Sequence, residues 1–129
     1  MANHIIVILR SDPDPVDPSN SRLTLSDNGE TVVNLGDVVT WIIDKDCHNI
    51  SSIFIQDEKR GPGVFDPDPL PVMGTSHWSG VINPNGITKS KKSKKNKKGD
   101  YKEESYTIYW SEDGEIYSFD PIIRVNPPK

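Results

Sequence analysis

The chain has 129 residues and a formal net charge of −4, which fits one domain that buries roughly 65–70% of its unfolded surface. Only 33% of the residues are hydrophobic, and 11 prolines and 9 glycines interrupt the chain, which excludes long helices and favours short strands joined by turns. A single cysteine, Cys47, excludes an intrachain disulfide; no stretch has the apolar length of a secretory leader or membrane span, so a soluble, cytoplasmic protein is expected.

In chain order, His4 to Arg10 is an apolar run rich in Ile and Val that predicts a buried first strand. The loop Ser11 to Asn20 is stiffened by prolines, since each Asp before a Pro is pushed out of the helical region. Leu23 and Leu25 alternate with polar residues, Asp27-Asn28-Gly29 is a hairpin signal, and Thr31 to Leu35 rises again. After a turn at Gly36-Asp37, Val38 to Ile43 is the strongest strand, with Val39, Trp41 and Ile43 on one face and Val38, Thr40 and Ile42 on the other.

Ile50 to Gln56 predicts another strand. Asp57 to Met73 is too rich in proline for a central strand. Ser76 to Ile82 is a strand candidate, and Asn83 to Gly86 turns the chain into a lysine-rich, low-complexity loop at 88–100. Ser105 to Ser111 and Glu115 to Phe119 predict a hairpin over Glu112-Asp113-Gly114, and Ile122 to Val125 closes the domain. No segment shows a helical apolar period. The expected fold is therefore all-β, an antiparallel or mixed Greek-key β-sandwich of about seven or eight strands spanning residues 1–129.

The run Gly36-DVVTWIIDKDCHNI-Ile50 resembles the second half of a cupredoxin, the plastocyanin-like fold, in which a Gly-Asp turn leads into an aromatic-bearing strand and then His-Asn-Val/Ile. The stretch 104–119, ESYTIYWSEDGEIYSF, resembles the penultimate hairpin of the same family. The resemblance covers roughly residues 30–65 and 103–126, and it implies a cupredoxin-like sandwich with His48 at the position of the first copper ligand. The other family ligands, a Cys, a His and usually a Met, would fall in the loop between the last two strands. That loop, read as Tyr117 to Ile122, contains none of them, whereas blue copper needs a thiolate and two imidazoles in a trigonal plane. The tail from Phe119, FDPIIRVNP, is also similar to the end of the bacterial PixA/AidA inclusion-body proteins, an all-β group with a Gly-Asp-x-(Ile/Val)-x-Trp strand. That resemblance implies a cytoplasmic protein without catalysis.

Donor atoms suited to copper exist elsewhere, in Cys47, His48, Met73 and His77, but adjacent Cys47 and His48 point to opposite faces if that stretch is extended. Cys47 has no surrounding signature of a cysteine hydrolase, so inert packing is the default. The acidic groups Asp12, Asp14 and Asp17, and Asp66 and Asp68, lack the glycine-centred loop of an EF-hand and read as solvated loops unless both converge on one ion.

The most conspicuous chemical feature is Lys89 to Lys98, in which Lys89, Lys91, Lys92, Lys94, Lys95, Lys97 and Lys98 are seven of the 15 basic residues; the remainder keeps 8 basic against 19 acidic residues, a net of −11. Lysines can contact phosphates, but without interleaved aromatics or arginines they do not read bases, and the acidic remainder repels nucleic acid. The bland reading is a self-repelling surface loop. The alternative is association, with the lysines of one copy against Asp12, Asp14, Asp66 and Asp68 of another. Trp41, Trp78, Trp110, Tyr106 and Phe119 read as core, while Tyr101, Tyr109 and Tyr117 are candidates for an outer contact surface. Together these features lead us to expect a non-catalytic, cofactor-free, copper-free domain that binds a protein partner or self-associates. The alternatives are a copper or redox protein using Cys47, His48 and His77, and a weak polyanion binder acting through Lys89 to Lys98.

Overall fold

The computed structural model describes residues 2–57, 64–66, 68–84 and 102–126; the lysines of the 89–98 run therefore lie outside the described residues. Eleven strands form: β1 (Asn3–Asp12), β2 (Arg22–Leu25), β3 (Glu30–Val33), β4 (Val38–Ile43), β5 (Ser52–Gln56), β6 (Leu70–Pro71), β7 (Trp78–Val81), β8 (Lys102–Ser105), β9 (Thr107–Glu112), β10 (Glu115–Phe119) and β11 (Ile122–Val125). The one helical element described is a 3-10 turn at Pro18–Asn20.

One layer is a mixed five-stranded sheet in the order β2-β1-β4-β7-β6, with β1 and β4 parallel and the other pairs antiparallel. The facing layer consists of two ladders, β10-β9-β5 and β3-β11-β8. They are joined by a single long hairpin. β9 pairs with β10 from Glu112↔Glu115 to Ile108↔Phe119, and β8 pairs with β11 from Ser105↔Ile122 to Lys102↔Val125 in the same unbroken register. Asp120-Pro121 interrupts it, because proline has no N–H for the ladder. Pro121 still accepts a hydrogen bond from the Tyr106 amide at 3.1 Å, so the two strands stay together through the gap. The number of strand segments exceeds the expected seven or eight mainly because of this interruption. The expected hairpin strand begins at Ser105, so β8 extends it towards the N-terminus, and Leu70–Pro71 falls in the stretch Asp57 to Met73 expected to be irregular. The latter forms two residues at the sheet edge, where a proline is tolerated.

The Asp27-Asn28-Gly29 signal does form a turn, with φ of 61° at Asn28 and 82° at Gly29, but not a hairpin. β2 belongs to the first layer and β3 to the second, where it pairs in parallel with β11. The turn instead carries the chain across the core. The Asp27 carboxylate holds it by accepting from the Gly29 amide at 2.9 Å and from the Thr31 hydroxyl.

Between the layers lies a core in which Ile6, Ile8, Val39 and Trp41 of one sheet face Ile55, Ile108, Trp110 and Ile123 of the other. Trp41 sits 5.5 Å from both Phe65 and Tyr106, and its indole N–H donates to the Tyr106 hydroxyl at 3.0 Å, a polar link across the sandwich. The alternation at Tyr106, Ile108 and Trp110 points inward as expected. Trp78 and Phe119 pack against the core only in part. The first strand is not buried on both faces: Ile6 and Ile8 are inside, while Ile5 is 52% and Leu9 44% exposed.

Candidate functional site

The end of the sandwich where β4 hands over to β5 carries most of the residues singled out by type. A β-bulge between Ile8 and Arg10 leaves both Leu9 and Arg10 outside and turns Ser11 inward, breaking the alternation of β1. On the β4–β5 loop the Cys47 amide donates to the Asp44 carbonyl at 2.9 Å and the Asp46 amide to the Asp44 carboxylate at 3.1 Å, which curls residues 44–47 into a turn rather than an extended stretch. Opposite them β9 ends at Glu112. A two-residue turn follows, with Asp113 (φ 52°) and Gly114 (φ 78°) in the left-handed region that a tight hairpin needs.

These three segments converge on Glu112, a buried carboxylate. One of its oxygens, Oε1, accepts from the Ser11 hydroxyl at 2.8 Å and from the Trp110 indole N–H at 3.0 Å. The other, Oε2, accepts from Asn49 Nδ2 at 2.9 Å. Asn49 Nδ2 also donates to Ser11 Oγ at 2.8 Å, and Asn49 Oδ1 lies 3.6 Å from the Cys47 thiol that donates to it. Each polar group in this ring is matched by type, donor to acceptor. Burial raises the Glu112 pKa, but the hydrogen bonds from Asn49, Ser11 and Trp110 outweigh it and hold the carboxyl below its ordinary value. The same carboxylate acts on Cys47 in the opposite sense. Burial, reinforced by the charges of Glu112 and Asp44, pushes the thiol up, so it stays protonated at neutral pH. A protonated thiol is a poor nucleophile and a poor metal ligand.

His48 is exposed beside buried Cys47. Met73, 85% exposed, and His77 lie on the β6–β7 hairpin, which reaches the same end of the sheet because Trp78 pairs with Trp41. The four sulfur and imidazole donors thus share an end of the molecule. Among the described residues, however, no three His, Cys, Asp or Glu side chains form a group able to hold a metal ion. The loop expected to carry ligands, Tyr117 to Ile122, is mostly strand: Tyr117 is buried against Trp110, with ring centroids 5.6 Å apart, and does not reach the outer surface.

The acidic loops also separate. Asp12 is exposed at the end of β1, 3.5 Å from Arg10. Asp14 accepts from the amides of Val16 (3.0 Å) and Asp17 (3.1 Å), so it organises its own loop, and these bonds lower its pKa. Asp66 and Asp68 are exposed near the opposite end of the sheet, where the Asp66 amide donates to the Val81 carbonyl at 3.0 Å. The two acidic pairs do not meet.

A different set of side chains does come together on the surface. Phe54 of β5, 48% exposed, has Trp78 of β7 at 5.2 Å with an interplanar angle of 85°, and Tyr109 of β9 at 5.9 Å and 38°. Tyr109 was legible as an outer residue from the alternation of its strand. Phe54 and Trp78 were not, because their meeting depends on how β5 and β7 approach at the open side of the two layers. Glu112, Asn49 and Ser11 were also missed; the bulge that aims Ser11 inward leaves no mark in the sequence.

No known protein family and no curated protein matches this chain at a significant level. Among the described residues no helix is long and apolar enough to cross a membrane.

Proposed function

We propose that the chain is a copper-free, cupredoxin-like Greek-key sandwich that serves as a binding or self-assembly module in the cytoplasm and performs no catalysis. The observation that carries this reading is the Glu112 ring. At the end that holds His48, the first-ligand position of the resemblance, a glutamate, an asparagine and a serine satisfy one another, and the β9–β10 hairpin closes in two residues. The parallel pairing of β1 with β4 and of β3 with β11 around a long C-terminal hairpin supports the cupredoxin-like topology. What supports recognition by charge and aromatics is the charge separation in the sequence, seven lysines at 89–98 against a remainder of net −11, together with the Trp78–Phe54–Tyr109 cluster. A lone protonated cysteine suits a reducing compartment.

Sedimentation velocity at low and high salt tests the assembly reading: concentration-dependent association that weakens with salt is expected, and a monomer indifferent to both refutes it. Titration with Cu(II) and Cu(I) is expected to leave absorption and melting temperature unchanged. A stoichiometric charge-transfer band overturns the copper-free assignment.

A further inference from the structure

We propose that the outer face of the five-stranded sheet is a homodimer interface, on which a second copy of this chain lays the same face about a two-fold axis. The register fixes what that face presents. Ile5, Thr40 and Ser79 share one row across β1, β4 and β7, with the pair Val7 and Ile42 on one side of it and the pair Val38 and Val81 on the other. They alternate along their strands with the residues that face the core, so these side chains point away from it. Leu9, turned outward at the bulge, extends the patch. Apart from Thr40 and Ser79 these residues are aliphatic, and none is charged. Charge enters at the β1–β2 corner, with Arg10, Asp12 and Arg22, and there Arg10 and Asp12 already pair at 3.5 Å. The other layer has an ordinary solvent face, where Arg124 bridges Glu30 and Glu103.

The sequence carries the same message. Ile5 to Leu9 is apolar at every position, the pattern of a strand covered on both faces, and β1 pairs in parallel with β4, an arrangement normally sheltered on both sides. Within one copy only the inner side is covered. The rest of the chain is a poor match for the outer side: 58–63 and 85–101, outside the described residues, hold Ile87 and Tyr101 as their only large apolar side chains, among Lys59, Arg60 and the lysine run. A second copy fits. A two-fold contact sets a patch against itself, so a charged patch repels its mate, whereas this one is neutral on a chain of net charge −4. Sheets stack face to face about 10 Å apart, as the two layers of this sandwich do. The Thr40 and Ser79 hydroxyls lie 3.4 Å apart and bond to each other, which offsets part of the cost of taking them out of water. Five strands by the paired length of β1 and β4 give a face of roughly 24 by 20 Å. Two copies then bury about 1,000 Å², the lower bound of a specific interface and suited to a weak dimer.

This inference rests on the reading of the domain as a self-assembly module, and names the surface and the partner. Charge attraction between copies is screened at 1 M NaCl, where the Debye length is about 3 Å, whereas contact between aliphatic faces persists. Sedimentation velocity in 1 M NaCl is therefore expected to show a residual dimer with a dissociation constant of about 10–100 µM. Ile5→Lys is expected to weaken it about hundredfold, because the two-fold axis places each substitution in the contact twice, and Leu9→Lys to weaken it in the same direction. Ile116→Lys makes the same change at an exposed isoleucine of β10, in the other layer, and is expected to leave the dimer intact. Circular dichroism and melting establish which variants are folded. A monomer in 1 M NaCl at several hundred micromolar, a dimer undiminished in a folded Ile5→Lys or Leu9→Lys variant, or equal weakening by Ile116→Lys overturns the proposal. If association is present at low salt and absent at 1 M, the self-assembly reading stands and this interface falls; a monomer at both removes the two together.

Discussion

Replacing Glu112 by glutamine keeps the shape of the side chain and removes its charge. In the native ring Oε1 accepts from Ser11 and Trp110, and Oε2 accepts from Asn49. The amide oxygen of E112Q can retain the first two as weaker neutral bonds. The amide nitrogen then faces Asn49 Nδ2, donor against donor, in a site that is 7% exposed. Loss of charge assistance together with one unsatisfied buried donor is worth about 2–4 kcal/mol, which for a domain of this length lowers the melting temperature by roughly 10 °C. The pH dependence provides the sharper check. The folded-state pKa of Glu112 lies below the ordinary 4.5, so its contribution is fully present above that value and disappears as pH falls through the folded pKa. Urea unfolding of both proteins, followed by tryptophan emission at pH 7 and at pH 3, is expected to show a gap at neutral pH that closes in acid. A neutral-pH difference under about 0.5 kcal/mol, or a gap that persists unchanged at pH 3, refutes the idea that the charged network fastens β1, the β4–β5 loop and β9 together.

Asp37, 3% exposed in its side chain, accepts from Ala2 N, His4 Nε2 and Asn34 N; burial opposes its charge, and these bonds outweigh that and depress its pKa. Asp37→Asn should therefore cost about 2–3 kcal/mol at pH 7, with the difference again lost in acid, as read by denaturant unfolding. Tyr106→Phe removes the acceptor of the Trp41 indole and should cost about 1–2 kcal/mol. Burial raises the Tyr106 pKa well above its ordinary 10.0, so the stability tied to its neutral form is lost as pH rises past 10, and Tyr106→Phe should blunt that alkaline loss in melting scans. A Cβ at Gly80 would stand 2.9 Å from the Phe65 ring and 3.2 Å from Pro69, so Gly80→Ala should cost about 1–3 kcal/mol and perturb the near-UV dichroism of the Trp41–Phe65–Tyr106 group.

The all-β class and most strand positions were legible because period-two alternation at Val38–Ile43 and Thr107–Glu112 and the turn residues around them are local properties. Pairing was less so. Asp27-Asn28-Gly29 has the composition of a hairpin turn and adopts its backbone, yet β2 and β3 part into different layers, because the turn sets local direction only, while β2 buries Leu23 and Leu25 beside β1 and β3 buries Thr31 and Val33 beside β11. The expected copper-family end was read from His48, whereas the residues that organise it are Asn49 beside it and Glu112, more than sixty positions away. A glutamate at the start of an Asp-Gly turn looks like an ordinary exposed charge until a bulge in another strand brings Ser11 to meet it.

The pairing of β3 with β11 brings together residues as distant as Glu30 and Arg124, 94 positions apart, and runs in parallel, so no short connection can template it. The β8–β11 hairpin, by contrast, is built from neighbours. Assembly should then proceed in two tempos, with the ribbon zipping early and the docking of the distant β3 strand limiting the rate, in the slow range of about milliseconds to seconds typical of non-local β topologies. Until that docking occurs, one side of β11 has no hydrogen-bonding neighbour. A mutation that delays it prolongs the interval in which another chain can take the vacant place.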